Sequence, residues 1–256
     1  MVHRLLAALT LAGLFGLSAA IVDVQLYYEP LCPYCRDFIL KQLVPAVNSD
    51  AFAYFNVKMV PAGNTQDMGN GSWMCQHGDD ECFLNNVESC AMKHIPIPDE
   101  NDNVAQLKFV ACLAGKGELG RSQWTNCPLE GVTKEVEDCV NGPEGPVLAK
   151  SMVVETSKLN PPHEYVPWVV INGAPSDKAD NDLLGAICDA IKVENPPVDP
   201  LPSSCQGGGS KAGKPMDASA SLLRAIPLVG VMSETAEASG KKPGRCYRGE
   251  PVQVVV

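Results

Sequence analysis

Two cysteines separated by two residues, Cys32-Pro33-Tyr34-Cys35, sit where one hydrophobic periodicity gives way to another, and this junction constrains the fold more than any other feature of the chain. Before it, Ile21 to Tyr28 alternates apolar residues with Asp23 and Gln25 and is rich in β-branched and aromatic types, so it reads as a strand. After it, Ile39, Leu43 and Val47, with Leu40 and Val44, recur at helical spacing up to the break near Asn48-Ser49-Asp50. Pro33 is acceptable in the first turn of that helix, where N–H groups lack intrahelical partners, whereas Pro45 is expected to end or kink it. Phe52 to Val60 is a second extended run. The opening is therefore strand, Cys-X-X-Cys, helix, strand, and the class is α/β.

Two thiols so placed have a specific chemistry. The first lies over the unpaired N–H groups and the positive end of the helix dipole, which favours its thiolate, while the second is close enough to form a disulfide with it. On this reading Cys32 attacks and Cys35 resolves. The competing readings are a structural bridge and a zinc site. Zinc would want a second ligand pair, for which Cys75 and His77 could be imagined, but an isolated Cys-X-X-Cys leading from a strand into an amphipathic helix is the redox arrangement. No metal, nucleotide or flavin motif is present. Both working thiols come from the chain, so no cofactor is needed, but an external thiol reductant must restore the pair.

The chain has 256 residues, of which 11 are cysteines, too many for an ordinary cytosolic protein and too few for a scaffold held by bridges alone. With 45% apolar residues it can bury the core of one large domain. A formal charge of −10 argues against nucleic acid as a partner. Residues 1–20 carry the pattern of a secretory signal peptide: Arg4, an apolar run from Leu5 to Leu17, then Ser18-Ala19-Ala20 before the expected cleavage. Asp23 and Gln25 interrupt that run too early for a membrane anchor, and no other stretch is long enough to span a bilayer. The expected setting is the secretory pathway, where disulfides persist, and Asn70-Gly71-Ser72 is a glycosylation sequon that also reads as a turn.

Residues 21–205 form the expected folded domain, with a helical, cysteine-bearing insert over about 62–162. Within it Phe83, Val87, Cys90, Ala91 and His94 share one helical face, as do Val104, Leu107, Ala111 and Ala114. Val166-Pro167-Trp168-Val169-Val170-Ile171-Asn172-Gly173 reads as a proline-initiated strand closing in an Asn-Gly hairpin turn, and Leu184, Ile187, Cys188 and Ile191 mark a last amphipathic helix. From 206 to 256 the composition turns glycine-rich, and this tail is expected to be mostly disordered.

One further motif runs Cys75-Gln76-His77-Gly78, two residues, Glu81-Cys82, two residues, Asn85, four residues, Cys90. It resembles the signature of the gamma-interferon-inducible lysosomal thiol reductase family, and with Cys32-Pro33-Tyr34-Cys35 and Val166-Pro167-Trp168 the resemblance spans roughly residues 22 to 192. It implies a thioredoxin-like fold with a disulfide-bonded helical insertion. It also implies a thiol reductase acting on disulfides of endocytosed proteins in an endolysosomal or extracellular compartment. On the same resemblance Cys32 is the nucleophile and Cys35 the resolving thiol. Pro167, preceded by Val166, would be the cis-proline that offers backbone hydrogen bonds to an extended substrate. The plainer alternative is a trans proline starting an edge strand.

For the signature itself, Gln76, His77, Glu81 and Asn85 are expected to cap and cross-link the insert, with His77 the best candidate for a direct part in substrate binding or proton transfer. Cys75, Cys82, Cys90, Cys112, Cys127, Cys139, Cys188 and Cys205 are candidates for four structural disulfides, whose pairing the sequence leaves open. Cys82 and Cys90 are not expected to pair, since eight residues of helix rise about 12 Å, beyond the roughly 7 Å a disulfide tolerates between Cα atoms. Cys246 is the odd one, expected to be free, removed with the tail, or paired between chains. At a working pH near 5 an ordinary thiol is almost all protonated, so Cys32 is expected to have a strongly lowered pKa. Two rival functions remain: a disulfide oxidase or isomerase of the secretory pathway, though the chain end lacks a Lys-Asp-Glu-Leu-like retention signal, and a non-catalytic, disulfide-stapled binding protein.

Overall fold

The strand at the start, β1 (Val22–Tyr27), buries Val22, Val24 and Leu26 on one face and lies inside a four-stranded sheet. The structure is a computed structural model that describes residues 22–69, 73–98, 103–194, 197–206, 242 and 244–249. The signal-peptide region, the Asn70 sequon and residues 207–241 lie outside the described residues.

Helix α1 (Pro33–Phe38) follows β1 and runs through a π-helical stretch, Ile39–Leu43, into α2 (Val44–Val47). Pro45 does not end the helix at once: α2 runs two residues past it, to the expected break at Asn48. The backbone ladder widens to π spacing just before Pro45, at the turn where its missing N–H would otherwise leave a gap. The chain then makes a 3₁₀ turn over Asp50–Tyr54, so β2 begins at Phe55 rather than Phe52, ending at Val60. That turn is tied down by Asp50, whose carboxylate accepts from Ser203 and Ser204 at 2.6–3.1 Å.

Beyond β2, a two-strand ribbon of β3 (Gln66–Asp67) and β4 (Trp73–Met74) leads into the helices α3 (Asp79–His94), α4 (Val104–Lys116), α5 (Gly120–Gln123), α6 (Thr133–Asn141) and α7 (Glu144–Ser157). Arg36 of α1 donates to the carbonyl of Ala114 at 2.9 Å, and one continuous apolar core runs from the sheet into these helices. The chain returns through β5 (Tyr165–Val166), the cis Val166–Pro167 peptide and β6 (Trp168–Ile171). Asn172 and Gly173 both take positive φ, 49° and 80°, in the turn to β7 (Ala174–Pro175), which matches the mirror-image turn that Asn-Gly favours. Helix α8 (Leu183–Lys192) closes the domain.

The sheet order is β2-β1-β6-β7. β1 and β2 are parallel, with Val24 opposite Val57, and β6 is antiparallel to β1, with Tyr27 opposite Trp168. A parallel strand–helix–strand unit joined to an antiparallel hairpin and a last helix is the thioredoxin-like arrangement, here with five α-helices, among the described residues, inserted between its halves. Four disulfides staple it: Cys75–Cys82, Cys90–Cys139 and Cys112–Cys127 in the insert, and Cys188–Cys205 holding the end of the domain to α8.

Candidate active site

Cys32 is the N-cap of α1 at the carboxyl end of β1, and Cys35 lies one turn on, its backbone N–H 3.4 Å from Cys32 Sγ. Both are fully buried. The structure does not join them to each other. Cys32 is bonded to Cys246, 214 positions later, across a Cα–Cα distance of 6.3 Å, and Cys35 is the free cysteine among the described residues. The expectation of a stray cysteine in a disordered tail is thereby corrected for residues 244–249. Here β8 (Cys246–Tyr247) pairs antiparallel with β5, Cys246 opposite Val166 and Tyr247 opposite Tyr165. Backbone pairing on an open edge, together with a covalent bond, orders a segment whose composition alone predicts disorder.

The strand is held mainly through its backbone. Asn64 Nδ2 donates to the carbonyl of Cys246 at 3.0 Å, Gln76 Nε2 to that of Tyr247 at 2.9 Å, and Arg248 N–H to that of Glu164 at 3.2 Å. Pro167, Tyr34 and Asp180 line one groove with Gly244 and Arg245 of the tail. Of the two residues singled out for substrate binding, Val166 pairs with the segment bonded to Cys32, and Pro167 lines the groove that this segment shares.

The Cys-Gln-His-Gly signature forms the opposite wall. The bridge Cys75–Cys82 closes its loop over the start of α3, and Gly78, at φ 82°, makes the entry to that helix in a backbone conformation that suits glycine. Glu81 holds His77 twice, accepting from its backbone N–H at 3.2 Å and meeting Nδ1 at 2.5 Å. His77 Nε2 then points at Cys246 Sγ, 3.9 Å away. Asn85 does cross-link the insert, donating to Thr65 Oγ1 at 3.2 Å. Gln76 and His77 do brace the insert, through Asn64 and Glu81, and they also face the tail strand.

Behind the thiols the site is acidic. Burial pushes the Cys35 thiol well above its ordinary range; the Glu29 N–H, 3.4 Å from its Sγ, opposes this, and the nearby carboxyls of Glu29, Glu81 and Glu88 add to it. Burial, and then the Glu81 carboxyl, push Glu29 well above the usual carboxylate range. Burial likewise raises Glu88 to about 8. Glu29, His77 and Glu81 bring their ligand atoms within 4.8 Å of one another, close enough to hold a cation, although the His77–Glu81 contact already engages one face of that set. The imagined Cys75–His77 zinc pair does not arise, because Cys75 is spent in its bridge to Cys82.

Three participants were invisible in the sequence: Asn64, Asp180 and Cys246. Only the odd cysteine count hinted at the last of them.

The gamma interferon inducible lysosomal thiol reductase family model matches residues 23–131. A gamma-interferon-responsive lysosomal thiol protein of Arabidopsis thaliana is 35% identical over 76% of this chain and 79% of its own length. The gamma-interferon-inducible lysosomal thiol reductase of Carassius auratus is 38% identical over 70% of this chain and 72% of its own, and that of Mus musculus 34% identical over 69% and 71%. Among solved structures, Chlamydia trachomatis DsbA superposes with a TM-score of 0.48 at 14% identity, covering 68% of this chain and 86% of its own. Sequence identity of this extent to the named reductases means that the chain belongs to the gamma interferon inducible lysosomal thiol reductase family and is a thiol-disulfide oxidoreductase.

Proposed function

We propose that the chain reduces disulfides of protein substrates by attack of Cys32 and resolution by Cys35, in an acidic endolysosomal compartment or outside the cell. The observation that carries this reading is the Cys32–Cys246 bond. A peptide strand tied through a cysteine to Cys32, lying along Val166, with Cys35 as the remaining thiol, has the composition of the mixed-disulfide stage of exchange with the tail in the substrate's place.

The Cys32 thiolate attacks one sulfur of the substrate disulfide. A Cys32–substrate bond forms as the substrate S–S bond breaks, and the departing sulfur takes the electron pair and a proton. Cys35 next gives up its proton and attacks Cys32 Sγ, forming Cys32–Cys35 and releasing the second substrate sulfur as a thiol. The substrate has gained two electrons and the enzyme has lost two, which an external thiol reductant restores. His77, held by Glu81 and 3.9 Å from the sulfur in the leaving position, supplies the proton in the second step. The lysosomal names of the relatives support the acidic setting.

The test is reduction of a denatured disulfide protein at pH 5 and pH 7 by the full chain carrying Cys246→Ser, alone and with Cys32→Ser or Cys35→Ser. Activity should vanish in both, with a substrate mixed disulfide trapped on Cys32 in the Cys35→Ser protein. Undiminished activity after Cys32→Ser would overturn the assignment.

A further inference from the structure

Most of what holds the tail strand in the groove is backbone hydrogen bonding that any extended peptide could make. One contact is different. Arg245, the residue before the bonded cysteine, places its guanidinium 2.8 Å from Asp180 Oδ2 and 5.1 Å from the centre of the Tyr165 ring. Both charged side chains are buried, Arg245 6% and Asp180 4% exposed. Tyr165 Oη donates to the same carboxylate at 2.8 Å, and Gln42 fixes the Asp180 backbone by donating to its carbonyl at 2.9 Å. A second tail cation, Lys242, stands 3.7 Å from Asp180 and 2.9 Å from the exposed Asp177.

Among the described residues, both cations within ion-pair distance of the Asp180 carboxylate belong to the tail. The domain therefore offers a hydrogen-bonded carboxylate in the groove beside Pro167, and the tail that covers it provides the counter-ions. Covering a carboxylate without a cation is strongly disfavoured, so whatever replaces the tail over Asp180 is selected for a positive charge at the same place.

We propose that Asp180, backed by Tyr165, is a specificity subsite that takes an arginine or lysine side chain immediately N-terminal to the substrate cysteine, and that residues 244–248 occupy it as a tethered substrate. This rests on Cys32 being the attacking thiol. Release of the tether needs no outside oxidant: Cys35 loses its proton and attacks Cys32 Sγ, the Cys32–Cys35 bond forms, the Cys32–Cys246 bond breaks, and Cys246 leaves with the electron pair and is protonated. A low-molecular-weight thiol then reduces Cys32–Cys35 and opens the groove to other peptides.

The probes are disulfide-linked dimers of the peptides Gly-X-Cys-Tyr, with X arginine, glutamine or glutamate. They are reduced by the full chain carrying Cys246→Ser, Arg245→Gln and Lys242→Gln, so that the tail neither bonds to Cys32 nor places a cation on Asp180, with dithiothreitol as reductant. The kcat/KM should fall in the order arginine, glutamine, glutamate, by about tenfold or more from first to last, and Asp180→Asn in the same background should bring that ratio close to one. Equal rates for the three peptides on the enzyme that retains Asp180 would overturn the subsite, and this arm does not depend on the Asp180→Asn protein folding. A ratio unchanged by Asp180→Asn in a protein with native circular dichroism would also overturn it. Failure to reduce any of the peptides would instead count against Cys32 as the attacking thiol.

Discussion

Cys32 and Cys246 lie 214 positions apart in the chain, yet they are joined by a disulfide in which Cys32 is fully buried and Cys246 only 3% exposed. The oxidised full chain should therefore be latent. Without prior reduction it should fail to label with iodoacetamide at Cys32, and substrate reduction should begin after a lag that shortens as thiol concentration rises. In Cys246→Ser the lag should disappear. A wild-type progress curve that is linear from the first seconds would show that the bond does not gate activity.

His77 Nε2 faces the leaving sulfur while Glu81 fixes the ring, so the help it gives should depend on how badly that sulfur needs a proton. With alkyl thiol leaving groups, His77→Gln should slow turnover by about 10²-fold, the lower end of what general acid catalysis contributes. With aryl disulfides, whose thiolates leave unprotonated, the loss should shrink to a few-fold. Equal losses for the two classes would assign His77 a purely structural part.

The buried carboxyls make stability depend on pH in a calculable direction. Glu88 titrates near 8 in the fold because of burial, so between about 4.5 and 8 the native state binds more protons than the unfolded chain, and stability falls as pH rises. His163 is pushed down to about 4 by burial and by nearby Arg248, so between about 4 and 6.5 stability falls as pH drops. The two oppose each other in acid, and above pH 6.5 Glu88 acts without that opposition. Glu29, raised by the same burial, acts in the same direction, so thermal denaturation should show Tm declining from pH 6.5 to 8, with Glu88 contributing at most about 1.4 kcal/mol of stability per pH unit, and Glu88→Gln should make the decline shallower. A Tm that rises over this interval would refute burial of Glu88 as the controlling titration.

Local pattern was a good guide where one element decides its own conformation. The alternation of Val22 to Tyr27, the helical spacing after Cys35 and the Asn172-Gly173 turn all formed elements of the type their residues prefer, because burial on one face and positive φ are local requirements. It was a poor guide at Phe52 to Tyr54, where Asp50 is tied to Ser203 and Ser204 from another part of the chain. Gln76 and His77 show a related limit within the site: they brace the insert as expected, but their contacts with the tail strand depend on a segment far away in the chain.

From the sequence alone came the α/β class, the two thiols of the Cys-X-X-Cys and the family signature, all of them carried by residues close together in the chain. The tertiary structure decided which cysteine Cys32 meets, that Asn64 and Gln76 hold a strand from the far end of the chain, and that Asp180 is paired with Arg245. Those contacts join segments separated by between 65 and 214 positions, and no local periodicity encodes them. They exist because β5 offers an edge near Cys32, and the tail has the backbone groups, the thiol and the positive charge to fill it.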